Sequence, residues 1–317
     1  MANITVRHLL FLFLVIIAFA IPSSHGLDQS LSKLSSSSFS YHGGALLTGP
    51  SPISISIIWY GSFPLKERIP ITDFFASFGT ISTSQNPTVS TWWKTLESYK
   101  DKAKKSVSST IRITKQIGDI TYSLGKNIKR DQIASYIKTK IDTKKLPVDP
   151  HGTYLFFTSK DVIVEHFCMG SCGFHDSLVI ESAQKLVYAH VGDPTRQCPG
   201  LCSWPFAIPA YGPPGPPLVA PNGIGSDGMV MNIATILAGA ATNPFKNGYF
   251  QGDALAPLEA VSACPGIFGS GAYPGYPGNL MVDKISKASY NAYGANGRKF
   301  LLPAMWDLVN LNCEVLT

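Results

Sequence analysis

The longest segment with helical character and almost no charge is 228–244, GMVMNIATILAGAATNP. Met229, Ile233, Ile236, Leu237 and Ala240 recur at helical spacing, with Ala234, Ala238, Gly239 and Ala241 between them. The pattern predicts a helix at about 229–241 that is apolar all round, and such a helix is normally buried. Gly225, Ser226 and Asp227 supply cap-type residues before it, and Asn243-Pro244 stops it. At about 16 residues it falls short of the roughly 20 that span a bilayer.

Elsewhere the apolar pattern alternates between strand and helix periods. ISISIIWY (53–60) reads as a half-buried strand that turns fully apolar before Gly61. An amphipathic helix over 66–78 is interrupted early by Pro70, and a second covers 88–99 with Trp92 and Trp93. That aromatic pair reads as core, with a sugar-stacking platform as the alternative. A strand at 110–117 is followed by a helix over 129–141, whose inner face carries Ile133, Tyr136, Ile137 and Ile141. Strands follow at 154–158, with 162–164 as its continuation, and at 186–191. A short strand at 280–283 and a closing segment at 299–307 complete the chain. Helices interleaved with strands predict an α/β fold with a mixed sheet. The proline-rich 207–221 reads as a linker or a rigid surface loop, and GSGAYPGYPG (269–278) as ordered loop.

The first 26 residues read as a secretory signal peptide: Arg7, an apolar run over 9–21, and small residues at 24–26. A Ser-rich, flexible leader over 27–42 follows, then a single globular domain over 43–317. No later stretch reads as a membrane span, and the expected location is the extracellular space. Six cysteines, Cys168, Cys172, Cys198, Cys202, Cys264 and Cys313, lie in the second half. In an oxidising compartment they read as disulfides, which makes the C-terminal half a bridged, loop-rich region. Spacing does not choose among the pairings; the expectation is Cys264–Cys313 plus bridges within 168–202.

Charge changes the picture in one place. The chain carries 26 Lys and Arg against 20 Asp and Glu, while 94–145 alone holds 14 against 5. Lys100, Lys102, Lys104, Lys105, Lys129 and Arg130 are the candidate polyanion-binding residues. Outside the cell they suggest an acidic polysaccharide, not nucleic acid; the alternative is solvated faces kept for solubility.

Catalytic signals are sparse. The sequence has no G-x-S-x-G elbow, no phosphate-binding loop and no H-E-x-x-H. Glu165, His166, His175 and Asp176 surround the Cys168/Cys172 pair, but their spacing fits no standard zinc site. Neither a cofactor nor a resident metal is expected. A glycosidase needs only two suitably placed carboxylates, and Glu165, Asp227 and Glu259 are the candidates for that reading.

IWYGSF (58–63), TWWKTLESY (91–99), QCPGLCSWPF (197–206), NPFKNGYFQG (243–252), APLEAVSACPGIFGSGAYPGYPG (256–278) and GRKFLLPAMWD (297–307) carry a resemblance over nearly the whole chain after the leader. It resembles the plant EXORDIUM, or phosphate-induced protein-like, family. That resemblance implies secretion to the cell wall or apoplast and a link to brassinosteroid-promoted growth, but no established reaction. A binding or signalling role with an acidic wall polysaccharide or a receptor ectodomain follows as the expectation.

TILAGAATNP (235–244), GYF (248–250) and EAVSAC (259–264) also resemble the layout of a zincin metallopeptidase: an active-site helix of the form H-E-L-A-E-x-x-T-D-P, an aromatic turn and an E-I-x-D-x-C segment. Thr235 stands in place of the first histidine ligand, Ile236 in place of the catalytic glutamate and Gly239 in place of the next ligand; Glu259 is retained. This resemblance implies a zincin-like fold whose zinc site has been lost.

Overall fold

The computed structural model describes residues 38–79, 85–181, 183–213 and 215–316. The expected signal peptide over 1–26 and residues 27–37 of the expected leader lie outside the described residues. Of the leader's remainder, Ser40–Tyr41 (β1) pairs antiparallel with Tyr249–Phe250, and Tyr41 stacks on Tyr249.

Five strands form the central sheet. Their ranges are Ile53–Tyr60 (β2), Ile111–Asp119 (β3), Thr153–Thr158 (β5), Gly173–Val179 (β7) and Lys185–Gly192 (β8), and they lie in the order β3-β2-β5-β8-β7. β2, β3, β5 and β8 are parallel, and β7 closes one edge antiparallel to β8. The side-chain period of two divides each inner strand between two cores. Ile53, Ile55, Ile57 and Trp59 of β2, with Leu155, Phe157, Val187, Ala189 and Val191, face one side. Ile58, Tyr60, Tyr154, Phe156, Leu186 and Tyr188 face the other. Burial on both faces is why β5 and β8 read as near-continuous apolar runs. β2, whose alternation predicts a half-buried strand, is also buried on both faces, because it lies inside the sheet between β3 and β5 with Ser56 buried as well.

The first face is covered by Leu65–Ala76 (α1), Val89–Lys94 (α2) and Ile224–Thr242 (α5). Pro70 lies inside α1, which runs through it without a break. α2 is capped by the Thr88 hydroxyl, which accepts from the Thr91 amide at 3.1 Å, and continues as a 3-10 turn over Thr95–Ser98. Trp92 and Trp93 are core residues, and their indole N–H groups donate to the carbonyls of Pro303 and Ser108. Arg130–Asp142 (α3) covers the second face with the four apolar residues its pattern marked.

Two elements depart from the sequence pattern. Ile163–Val164 (β6) does not continue β5; it pairs in parallel with Asn127–Ile128 (β4), because the chain turns at 159–161. β7 carried no predicted strand, since its GFHDSLV is half-buried at a sheet edge and lacks an apolar run.

α5 spans 19 residues, beginning at Ile224, so Gly225, Ser226 and Asp227 lie inside it and Gly223 is the cap. By length and composition alone it could cross a membrane, yet 72% of its apolar window is buried inside the protein. It packs against β7, β8 and α1. Cys168–Cys198 and Cys172–Cys202 join the turn before β7 to Pro199–Cys202 (α4), and Cys264–Cys313 ties the C-terminal segment. Asn232 of α5 donates to the Cys202 carbonyl at 2.9 Å, which seats the helix on the bridged turn.

Candidate functional site

Two glycines allow α5 and β7 to approach closely. A Cβ on Gly173 would lie 2.6 Å from the His190 carbonyl and 3.0 Å from Ile236 Cγ1, so Ile236 packs directly onto the strand. Two residues along β7, on the same face, His175 reaches over the helix. Its Nε2 donates to both carboxylate oxygens of Glu259 at 2.9 Å. Asn243, the residue that ends α5, donates to Glu259 Oε1 at 2.7 Å, and its own Oδ1 accepts from the Gly248 amide at 2.7 Å. The Glu259 amide donates to Ser262 Oγ at 2.7 Å.

The knot closes over the bare backbone of the second glycine. A Cβ on Gly239 would meet Glu259 Oε2 at 2.2 Å and His175 Nε2 at 3.2 Å. The His175 and Glu259 side chains are only 6% and 11% exposed, and His175 Nδ1 is buried without a partner. A carboxylate this buried depends on its donors; removing one partner of such a pair costs about 3–5 kcal/mol.

Zinc, which the metallopeptidase resemblance would imply, does not fit these residues. Gly239 offers no donor, Ile236 is hydrocarbon, and the Thr235 hydroxyl donates to the Met231 carbonyl of its own helix at 2.9 Å. Glu259 spends its oxygens on His175 and Asn243. Among the described residues no three His, Cys, Asp or Glu side chains gather to hold a metal ion. Of the four marked positions, the fold brings Gly239 and Glu259 together, while Thr235 and Ile236 stay apart from the polar knot.

The His and acid cluster around Cys168 disperses. His175 goes to Glu259, Asp176 pairs with Lys246 at 2.9 Å, and Glu165 accepts from the Arg130 amide at 3.1 Å. His190, facing the other core, bonds Thr158 Oγ1 at 2.9 Å, and burial pushes its imidazole down to about 3. The three candidate acids are likewise separated. Asp227 is buried at the start of α5 against Asn222, and twelve residues of helix, about 18 Å, separate it from Gly239 and Glu259. Glu165 lies beyond the sheet beside α3.

The basic residues fall at opposite ends of the parallel strands. Lys100, Lys102, Lys104 and Lys105 occupy an exposed loop just before β3, bridged at Lys100–Ser106. Lys129 and Arg130 open α3 at the far end, where Arg130 stacks over Phe174. Because α3 returns the chain from the end of β3 to the start of β5, Lys140, Lys144 and Lys145 come back to the Lys100–Lys105 end. They lie on or just after α3, the element that covers the second face of the sheet, whereas Lys100–Lys105 lie between Tyr99 and Val107 of the first-face core.

The fold and this site define a disulfide-bridged mixed α/β protein whose central helix is closed by a buried His–Glu–Asn knot. The family described as the phosphate-induced protein 1 conserved region matches residues 39–316. Protein PHOSPHATE-INDUCED 1 of Nicotiana tabacum is 46% identical over 282 residues, 87% of each chain. Protein EXORDIUM-like 2 of Arabidopsis thaliana is 47% identical over 283 residues, 87% of this chain and 88% of that one. Protein EXORDIUM of Arabidopsis thaliana is 44% identical over 317 residues, covering 97% and 98%. No solved structure matches the chain. The chain belongs to the EXORDIUM / phosphate-induced protein 1 family.

Proposed function

We propose that this chain is a secreted protein of the plant cell wall or apoplast that promotes brassinosteroid-linked growth and cell expansion, and that it works as a non-catalytic binding or signalling module. The observation that carries the reading is the closed knot: Glu259 lies locked by His175 and Asn243 over Gly239. The one acid that the metallopeptidase layout retains is engaged in structure. Three disulfides that use all six cysteines suit an oxidising compartment. The alternative, a wall-modifying hydrolase, would need a carboxylate pair, and no two of Glu165, Asp227 and Glu259 stand together.

The favoured partner is an acidic wall polysaccharide, met by the basic rim around Lys100–Lys105; a receptor ectodomain is the other partner class. Exposed lysines on a loop attract a polyanion through space, and salt weakens that attraction. A pull-down on pectate across a salt series tests the reading. Retention at low ionic strength that disappears as salt rises supports it, and no retention at low salt removes it.

A further inference from the structure

Two adjoining clefts of about 420 and 450 Å³ are lined by none of the nominated basic residues. They share Trp204, Pro209 and Gly275 as a common wall. Tyr211 and Tyr273 line the first and Tyr276 the second, and Tyr211 and Tyr273 are 83% and 65% exposed. With Trp204 and the proline walls, these rings form one contiguous aromatic surface beside a cleft, the kind of patch that marks a ligand groove.

The loop that presents the tyrosines is ordered in advance. Tyr273 and Tyr276 exchange backbone hydrogen bonds at 3.0 and 2.8 Å, and their rings lie 5.1 Å apart. Lower in the loop, the Asn279 amide donates to the Ser270 carbonyl and the Gly269 amide to the Pro277 carbonyl. Gly278, at φ +101°, allows this closure, since a Cβ there would lie 2.1 Å from the Gly269 carbonyl. Trp204 is seated against Phe268 at the base. A preformed platform of this kind loses little conformational freedom on binding.

We propose that these clefts form a binding site for a neutral, β-linked chain of all-equatorial pyranoses, of the glucose or xylose type. No charged side chain lines either cleft, in a chain that is 15% charged, so the site has nothing with which to offset a desolvated carboxylate. The ligand is therefore not the polyanion assigned to the basic rim. All-equatorial pyranoses expose flat C–H faces that stack on aromatic rings, with hydroxyls around the edge. The polar groups of the lining are neutral too: tyrosine hydroxyls, Asn279 and Ser289. The walls are dense in proline, which presents carbonyl acceptors and no N–H. Hydroxyls can donate to such walls. A proline-rich peptide, the other ligand that favours aromatic grooves, brings mostly acceptors of its own.

The test uses the full secreted chain with cellohexaose and xylohexaose as probes, polygalacturonate and an oligoproline peptide as comparators, and titration calorimetry as the readout. One or both hexasaccharides are expected to bind, with affinity unchanged as the Debye length shrinks from about 30 Å to about 3 Å with added salt. The double substitution Tyr211→Ala/Tyr273→Ala is expected to weaken binding at least about ten-fold, the equivalent of about 1.4 kcal/mol. Both rings are exposed, so the unfolding temperature stays unchanged. Trp204→Phe gives an independent readout, since it removes the fluorescence change that the oligosaccharide produces. The inference is overturned if neither hexasaccharide binds at millimolar concentration, if the double variant binds as tightly as the native chain, if oligoproline binds in their place, or if salt abolishes the interaction. Because the basic rim is untouched by these variants, pectate retention can fail while this site stands, and the reverse.

Discussion

His175 Nε2 and the Glu259 carboxylate meet at 2.9 Å across 84 residues of sequence, directly above the Cα of Gly239. The pair joins the edge strand β7 to the segment that follows α5. It is also the reason that position 239 of α5 has no room for a side chain larger than glycine's. A polar knot has taken the space, and the helix beneath it serves the core.

Gly239→Ala separates a filled space from an open one. In a free helical position, alanine in place of glycine gains about 0.5–1 kcal/mol. Here the added methyl collides with Glu259, so a loss of about 1–3 kcal/mol is expected. Urea unfolding midpoints decide the sign; a gain in stability would mean that the carboxylate does not sit where it is described.

Asp227 makes stability depend on pH. Burial pushes its carboxyl up to about 7, against the Asn222 backbone and side-chain donors and the charge of Arg298. The folded chain therefore holds a proton that the unfolded chain releases near 3.8. The resulting stabilisation is full at low pH and is lost as pH rises to about 7. The stability of the native chain relative to Asp227→Asn should fall by up to about 4 kcal/mol between about pH 4 and pH 7. A difference that grows with pH would show that the Asn222 donors outweigh burial.

Cys264–Cys313 spans 49 residues and holds the strand pair Met305–Asp307 and Asn312–Glu314 beside the loop that follows Glu259. Replacing both cysteines by serine is expected to cost about 2–5 kcal/mol. Thermal unfolding with and without the change checks it, and an unaltered melting temperature would contradict the bridge's stabilising role.

Much of the fold was legible because it is written in local period. The alternation of β2, the apolar runs of β5 and β8 and the stripe of α3 are properties of consecutive residues. α5 could be read from its composition, although its first turn, with Gly225 and Asp227, looked like a cap. β7 was hidden because an edge strand buries only part of itself, so GFHDSLV shows no clean alternation. The knot was legible in halves. Gly239 and Glu259 were marked by the layout of one segment, but His175 stood in a separate cluster with Glu165 and Asp176. Nothing in sequence spacing tells a histidine which carboxylate 84 positions away it will meet. The spatial grouping of the basic residues was not legible either: Lys129 and Arg130 are near Lys105 in sequence, and a strand's length carries them to the other end of the sheet.

The central claim is that function rests on the surface and not on the buried knot. Its most direct measurement is the polygalacturonate affinity of three proteins at low ionic strength: the native chain, a variant with Lys100, Lys102, Lys104 and Lys105 all changed to Glu, and Glu259→Gln. The account predicts that the four-lysine reversal abolishes binding, while Glu259→Gln, although less stable, binds as the native chain does while folded. Binding that survives the reversal, or that is lost with Glu259→Gln in folded protein, would contradict it.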